Sequence, residues 1–139
     1  MKNVYFDSAA TTQIRPEVVD RIKKALEENY GNPSSTHSFG RSSKTLIETA
    51  RKTIAKYLNA SPQEIIFTSG GTEADNMALR CSVRDLGVTT IITSPIEHHA
   101  VLHTVEQLRV ESDIKVAYVK LQPCGTPDYD DLEALLKAD

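Results

Sequence analysis

Glu64-Ile65-Ile66-Phe67-Thr68-Ser69-Gly70-Gly71-Thr72-Glu73 is the stretch that decides the fold class. Its first half is β-branched and aromatic and reads as a short strand. Ser69-Gly70-Gly71 reads as the turn after it, and Thr72 to Leu86 returns to helical spacing through Ala74, Met77, Ala78 and Cys81. Downstream the alternation continues. Thr89 to Thr93 is a second β-rich run, and Ala100 to Val110 is helical by Val101, Leu102, Val105 and Leu108. Ile114 to Val119 alternates as a third strand, and Thr126-Pro127-Asp128 opens a last helix through Leu132, Leu135 and Leu136. Asp128, Asp130 and Asp131 suit the positive end of that helix. Strand and helix in strict alternation predict an α/β fold, a parallel sheet with helical crossovers.

Upstream the pattern is helical. Arg15 to Glu28 carries Val18, Val19, Ile22, Ala25 and Leu26 on one stripe, with Pro16 suited to a first turn. Asn29 to Ser38 is turn-rich, and Arg41 to Leu58 places Leu46, Ile47, Ala50, Ile54, Tyr57 and Leu58 on one face before Asn59-Ala60-Ser61-Pro62 stops it. The expected division is 1–60, an amino-terminal arm with helices, and 61–139, the first part of an α/β domain. A three-stranded sheet with an open edge, and a helix running into Asp139, reads as truncated.

The 139 residues are 40% hydrophobic and 25% charged, which is ordinary for a globular chain. A formal net charge of -3 and the lack of a basic block argue against nucleic acid. No apolar run reaches the ~20 residues of a membrane helix, and Met1-Lys2-Asn3-Val4-Tyr5-Phe6-Asp7 turns polar too soon for a signal peptide. Cys81 and Cys124 are too few for a disulfide framework, which suits a reducing cytoplasm.

The turn at Gly70-Gly71 opens a helix with Thr72, and such a start presents free amides and a favourable dipole to an anion. It reads equally as a plain glycine turn capped by Thr72. It is no nucleotide P-loop, because the lysine at the helix entrance is absent. His98, just past a strand, lies where open α/β sheets bind ligands, or serves as a polar cap. His99 and His103 are four apart on a helix; without a third ligand they read as a solvated face and no metal is expected. Cys81 falls on an apolar helix face as a small core residue. Cys124 sits in a turn, and nothing marks either thiol as a nucleophile.

Four motifs in order resemble one family: Tyr5 to Thr12; Gly31-Asn32-Pro33-Ser34 with His37 and Gly40; Phe67 to Glu73 with Asn76; and Glu97-His98 with Ala100-Val101-Leu102. They are similar to the successive amino-terminal signatures of NifS/IscS-type cysteine desulfurases, class V aminotransferases built on the aspartate aminotransferase fold. The resemblance covers essentially the whole chain and implies pyridoxal 5'-phosphate as cofactor. It implies that Gly71 and Thr72 bind the phosphate and that His98 stacks on the ring and assists proton transfer. It places Ala10 and Thr11 in a loop near the substrate, and Asn32 in the loop lining the active-site entrance.

The same resemblance implies a parent enzyme that takes L-cysteine to alanine and passes sulfur, as an enzyme-bound persulfide, to an acceptor or scaffold protein for iron-sulfur cluster or thio-cofactor assembly. Such enzymes are homodimers. Their cofactor-bearing lysine, the aspartate at the ring nitrogen, the arginine for the substrate carboxylate and the persulfide cysteine all lie beyond the stretch this chain matches. The chain corresponds to roughly the first third of such a protein and is expected to be inactive alone. A selenocysteine lyase, another class V aminotransferase, or a non-catalytic folded module are the other readings.

Overall fold

The computed structural model describes residues 4–138. Met1-Lys2-Asn3 and Asp139 lie outside the described residues, and so do the readings made of the leader's first residues and of the stop at Asp139. The chain divides into two compact units, Met1–Ile66 and Phe67–Asp139.

The first unit is helical. Helix α1, Pro16–Glu28, begins with proline after an extended Arg15, where a missing amide proton costs nothing. Helix α2, Ser38–Tyr57, starts earlier than its apolar period indicates, because His37 caps it: Nδ1 accepts from the Gly40 amide at 3.4 Å. The link between the helices is polar and close. Asn29 accepts from Ser42 Oγ on its side chain at 2.9 Å and from Ser43 Oγ on its carbonyl at 3.0 Å. Two glycines of the turn-rich loop let backbone meet backbone. A Cβ on Gly31 would fall 2.9 Å from the Gly40 nitrogen, and one on Gly40 would fall 2.6 Å from the Asn32 carbonyl. Tyr30 and Phe39 pack their rings 5.4 Å apart over this contact.

The apolar stripes of α1 and α2 stay largely uncovered. None of α1 is buried, and α2 buries only Gly40, Ser43 and Ala55. Val18, Ile22, Ala25 and Leu46 instead line an open groove of about 550 Å³, and Leu26 is 74% exposed. Periodicity states which residues share a face, not whether a partner covers it.

The expected strand over Glu64–Thr68 is also corrected. Pro62–Glu64 form a 3-10 turn, fastened by the Ser61 amide donating to the Glu64 carboxylate at 2.6 Å. Ile65 is extended, but the segment lies outside the sheet. Strand composition gives a preference; a strand also needs a neighbour in register.

In the second unit, helix α3 (Gly71–Leu86) ends at Gly87, whose φ of 70° is the left-handed cap that glycine adopts freely. Strands β1 (Thr90–Thr93) and β2 (Lys115–Tyr118) are parallel, with Thr90 opposite Lys115 and Thr93 opposite Tyr118. Helix α4 (His99–Glu111) crosses between them and packs on α3 and on β2. This is the βαβ unit the alternation predicts, with two paired strands rather than three. Ala100, Val105, Leu108, Ile114 and Val119 form its core, and Val105 is 0% exposed. Helix α5 (Tyr129–Lys137) is capped by Asp128, which accepts from the amides of Asp130 and Asp131 at 3.0 and 3.2 Å. Asp131 ties α5 to the end of β2 by accepting from the Lys120 amide at 2.9 Å and from its Nζ at 2.6 Å.

Candidate active site

Gly70 is fully extended, and the first backbone bond of α3 runs from the Ala74 amide to the Gly70 carbonyl at 3.1 Å. The amides of Gly71, Thr72 and Glu73 have no carbonyl one turn back. A Cβ on either Gly70 or Gly71 would meet nothing within 4 Å. These two glycines are therefore not required by packing within this chain, in contrast to Gly31 and Gly40. The Glu73 carboxylate folds back to accept from the Ser69 amide at 2.6 Å, and that bond holds its carboxyl below the usual carboxylate range. Thr68 Oγ1 donates to the Gly70 carbonyl at 3.1 Å and stiffens the same turn.

His98 follows β1 and caps α4, its Nδ1 accepting from the Ala100 amide at 3.1 Å. A ring that accepts at Nδ1 carries its proton, when neutral, on Nε2. Cap and ligand group are thus compatible roles: one nitrogen fixes the ring while the other remains a donor. The side chains of Thr72 and His98 line one groove of about 320 Å³, together with Asn76, His99, His103 and Gln107. Of the three residues expected at the cofactor, Thr72 and His98 share this groove, and Gly71 adjoins Thr72 without lining it.

His99 and His103 set their rings 5.2 Å apart on the exposed face of α4. Among the described residues no group of three or more His, Cys, Asp or Glu side chains is placed to hold a metal. Ala10 and Thr11 belong to the first unit, in a turn closed by their amides on the Asp7 carbonyl at 3.1 and 3.2 Å, with the Thr11 hydroxyl bonded to that of Tyr5. Asn32 is in the same unit; its side-chain oxygen accepts from the Ser34 amide at 2.9 Å and shapes its own loop.

Cys81 is only half-buried, not a core residue, and Arg84, three residues on in the same helix, sets its Nη2 3.7 Å from the sulfur. Cys124 is exposed, and hydrogen bonding to Thr126 at 3.3 Å lowers its thiol below the ordinary value.

Two residues of the site were not assigned a role by sequence reasoning. Asn76 Nδ2 donates to the Thr72 carbonyl at 2.8 Å, and Thr104 Oγ1, on α4, lies 2.8 Å from Asn76 Oδ1. The four-residue step from Thr72 to Asn76 is visible in the sequence; the pairing of Asn76 with a residue 28 positions on is not.

The parallel βαβ unit thus carries a helix start and an imidazole past a strand end, with Thr72 and His98 on one groove, and places of this kind are where open α/β sheets bind ligands. The family model for aminotransferase class-V matches residues 4–139, and the chain belongs to that family. Its relatives include cysteine desulfurases IscS of Dictyoglomus turgidum, 47% identical over 99% of this chain and 35% of the relative, and of Methanosarcina thermophila, 45% identical over 99% and 34%. A solved structure of a NifS-like protein superposes with a TM-score of 0.88 at 40% identity, covering 96% of this chain and 37% of that one. A second, described as SspA in complex with cysteine, gives 0.83 at 32% identity over 94% and 38%. The chain spans about a third of the length of the curated relatives it matches.

The donor set of the groove suits a ligand with an anionic end and an aromatic ring: the Thr72 hydroxyl and the His98 imidazole both border it. Gly70 and Gly71 leave the amides of the α3 start uncrowded.

Proposed function

We propose that this chain supplies the phosphate grip and the ring-facing histidine of a pyridoxal-phosphate-dependent cysteine desulfurase. The observation that carries the reading is the shared groove of Thr72 and His98 at the uncrowded start of α3. The amides of Gly71 and Thr72, with the Thr72 hydroxyl, bind the phosphate; helix dipole and unpaired donors favour its charge. His98, held by its Nδ1 bond to Ala100, orients the ring and presents Nε2–H as the site where a proton is held or moved. When bound, pyridoxal phosphate supplies the electron sink for bond changes at the substrate's α-carbon.

The cysteine desulfurases among the relatives support the following reading of the full enzyme. L-cysteine is converted to alanine, and the sulfur, carried as a persulfide on the enzyme, passes to an acceptor or scaffold protein in the cytoplasm. The full enzyme acts as a homodimer with Ala10, Thr11 and Asn32 on its substrate side. The 139 residues alone do not turn over, since the family's cofactor lysine and persulfide cysteine have no counterpart in the stretch matched here.

Titrating isotope-labelled chain with pyridoxine 5'-phosphate, which shares ring and phosphate but cannot react with lysines, tests the site. Amide shifts confined to residues 70–73 and 98–100 are expected, with millimolar or weaker affinity. Shifts centred elsewhere refute it, and alanine or sulfide released from cysteine by the purified chain with pyridoxal phosphate refutes the inactivity.

A further inference from the structure

We infer that Asn76 and Thr104 are positioning residues that hold the phosphate grip and the ring platform at one fixed spacing. The inference rests on the site reading above and adds to it how its two halves are kept in register.

The bonds form one path from Thr72 to His98. The Asn76 amide nitrogen donates to the Thr72 carbonyl at 2.8 Å, one turn into α3. That carbonyl only accepts, so the Asn76 oxygen must face the other way, toward α4. There Thr104 Oγ1 lies 2.8 Å from Asn76 Oδ1 and 2.8 Å from the Ala100 carbonyl, sharing its one hydroxyl proton between them. The Ala100 amide then donates to His98 Nδ1 at 3.1 Å. Thr104 is 3% exposed, so water does not compete for this hydroxyl.

A buried threonine on a helix can satisfy itself on the carbonyl four residues back, and Thr104 already does so. The second acceptor across the helix interface is surplus to that need. Apolar packing between α3 and α4 resists separation but sets sliding and rotation only loosely, whereas a directional bond fixes both. The need for fixed register is chemical. Phosphate and ring are joined covalently at one distance, so grips on two different helices must keep that distance to be used together.

The test compares Thr104→Val, which keeps shape and loses the hydroxyl, with Thr104→Ser, which restores it. Affinities of the chain for pyridoxine 5'-phosphate and for inorganic phosphate are read from the Gly71 and Thr72 amide shifts. Thr104→Val should weaken the two-ended probe about fivefold, the scale of one net hydrogen bond. Inorganic phosphate, which needs only the α3 start, should bind as before, and Thr104→Ser should recover the affinity for the two-ended probe. Equal loss for both probes, or no loss for either, overturns the inference.

If the unsubstituted chain fails to take the two-ended probe, the site reading fails, and hydrogen exchange decides the positioning separately. Ala100 should then exchange about fivefold faster in Thr104→Val, while the Lys115 amide, bonded to the Thr89 carbonyl at 2.9 Å, stays unchanged. Unchanged Ala100 exchange, or the same acceleration at Lys115, overturns it.

Discussion

Replacing Val105 by alanine strikes the contact that seats α4 in its unit. Val105 is 0% exposed, adjoins Thr104, and lies on the helix that packs against both α3 and β2. Removing its two methyl groups forfeits about 1.6 kcal/mol of transfer free energy, at about 0.8 kcal/mol per buried carbon. Incomplete collapse around the gap brings the loss to about 2–3 kcal/mol. Val110 is an internal control, because it sits on the same helix and is 75% exposed. Val110→Ala makes the same chemical change with the same small gain in helix propensity, so its effect should stay within about 0.5 kcal/mol. The difference of about 2 kcal/mol is about a thirtyfold change in the folded-to-unfolded ratio. With a denaturant slope near 1 kcal/mol/M, suitable for so small a unit, it is a displacement of about 2 M in the urea midpoint. Circular dichroism during urea unfolding of both variants measures it. Equal midpoints for Val105→Ala and Val110→Ala would show that α4 is not seated by this side chain, and the account of the core would be wrong.

Two glycines make opposite predictions. Gly40→Ala should destabilise the first unit by about 1–3 kcal/mol, because the new carbon lands 2.6 Å from the Asn32 carbonyl. Gly71→Ala has open space and should melt within about 0.5 kcal/mol of the parent chain, yet bind pyridoxine 5'-phosphate more weakly; a large thermal penalty would contradict this. Acid sensitivity forms the other prediction. Lys120 holds the Asp131 carboxyl below its usual range, and backbone amides do the same for Glu73 at Ser69 and Glu64 at Ser61. A depressed folded-state value means the unfolded chain binds more protons. The stabilisation is therefore complete above about pH 4.5 and is lost as pH falls through the lowered values. Melting temperature should be flat above about pH 5 and fall below it, and Asp131→Asn should flatten part of that acid limb. An acid limb unaltered by Asp131→Asn would deny the Lys120 bond a role.

Sequence alone determined what neighbours along the chain decide. The helical stretches, the parallel βαβ order, the glycine turn before α3 and the strand-end place of His98 follow from period and turn chemistry acting over a few residues. Even there, caps moved the ends: His37 started α2 early and Asp128 started α5 late, since capping bonds rather than apolar spacing set where a helix begins. Tertiary structure decided the rest. It left the α1 stripe uncovered, kept Ile65 and Ile66 out of the sheet, and placed Asn76 against Thr104 beside a groove shared by Thr72 and His98. A residue's preference is written in its own side chain and its near neighbours. Burial, strand pairing and a bond across two helices each need a second partner from far along the chain, and only folding brings that partner within reach.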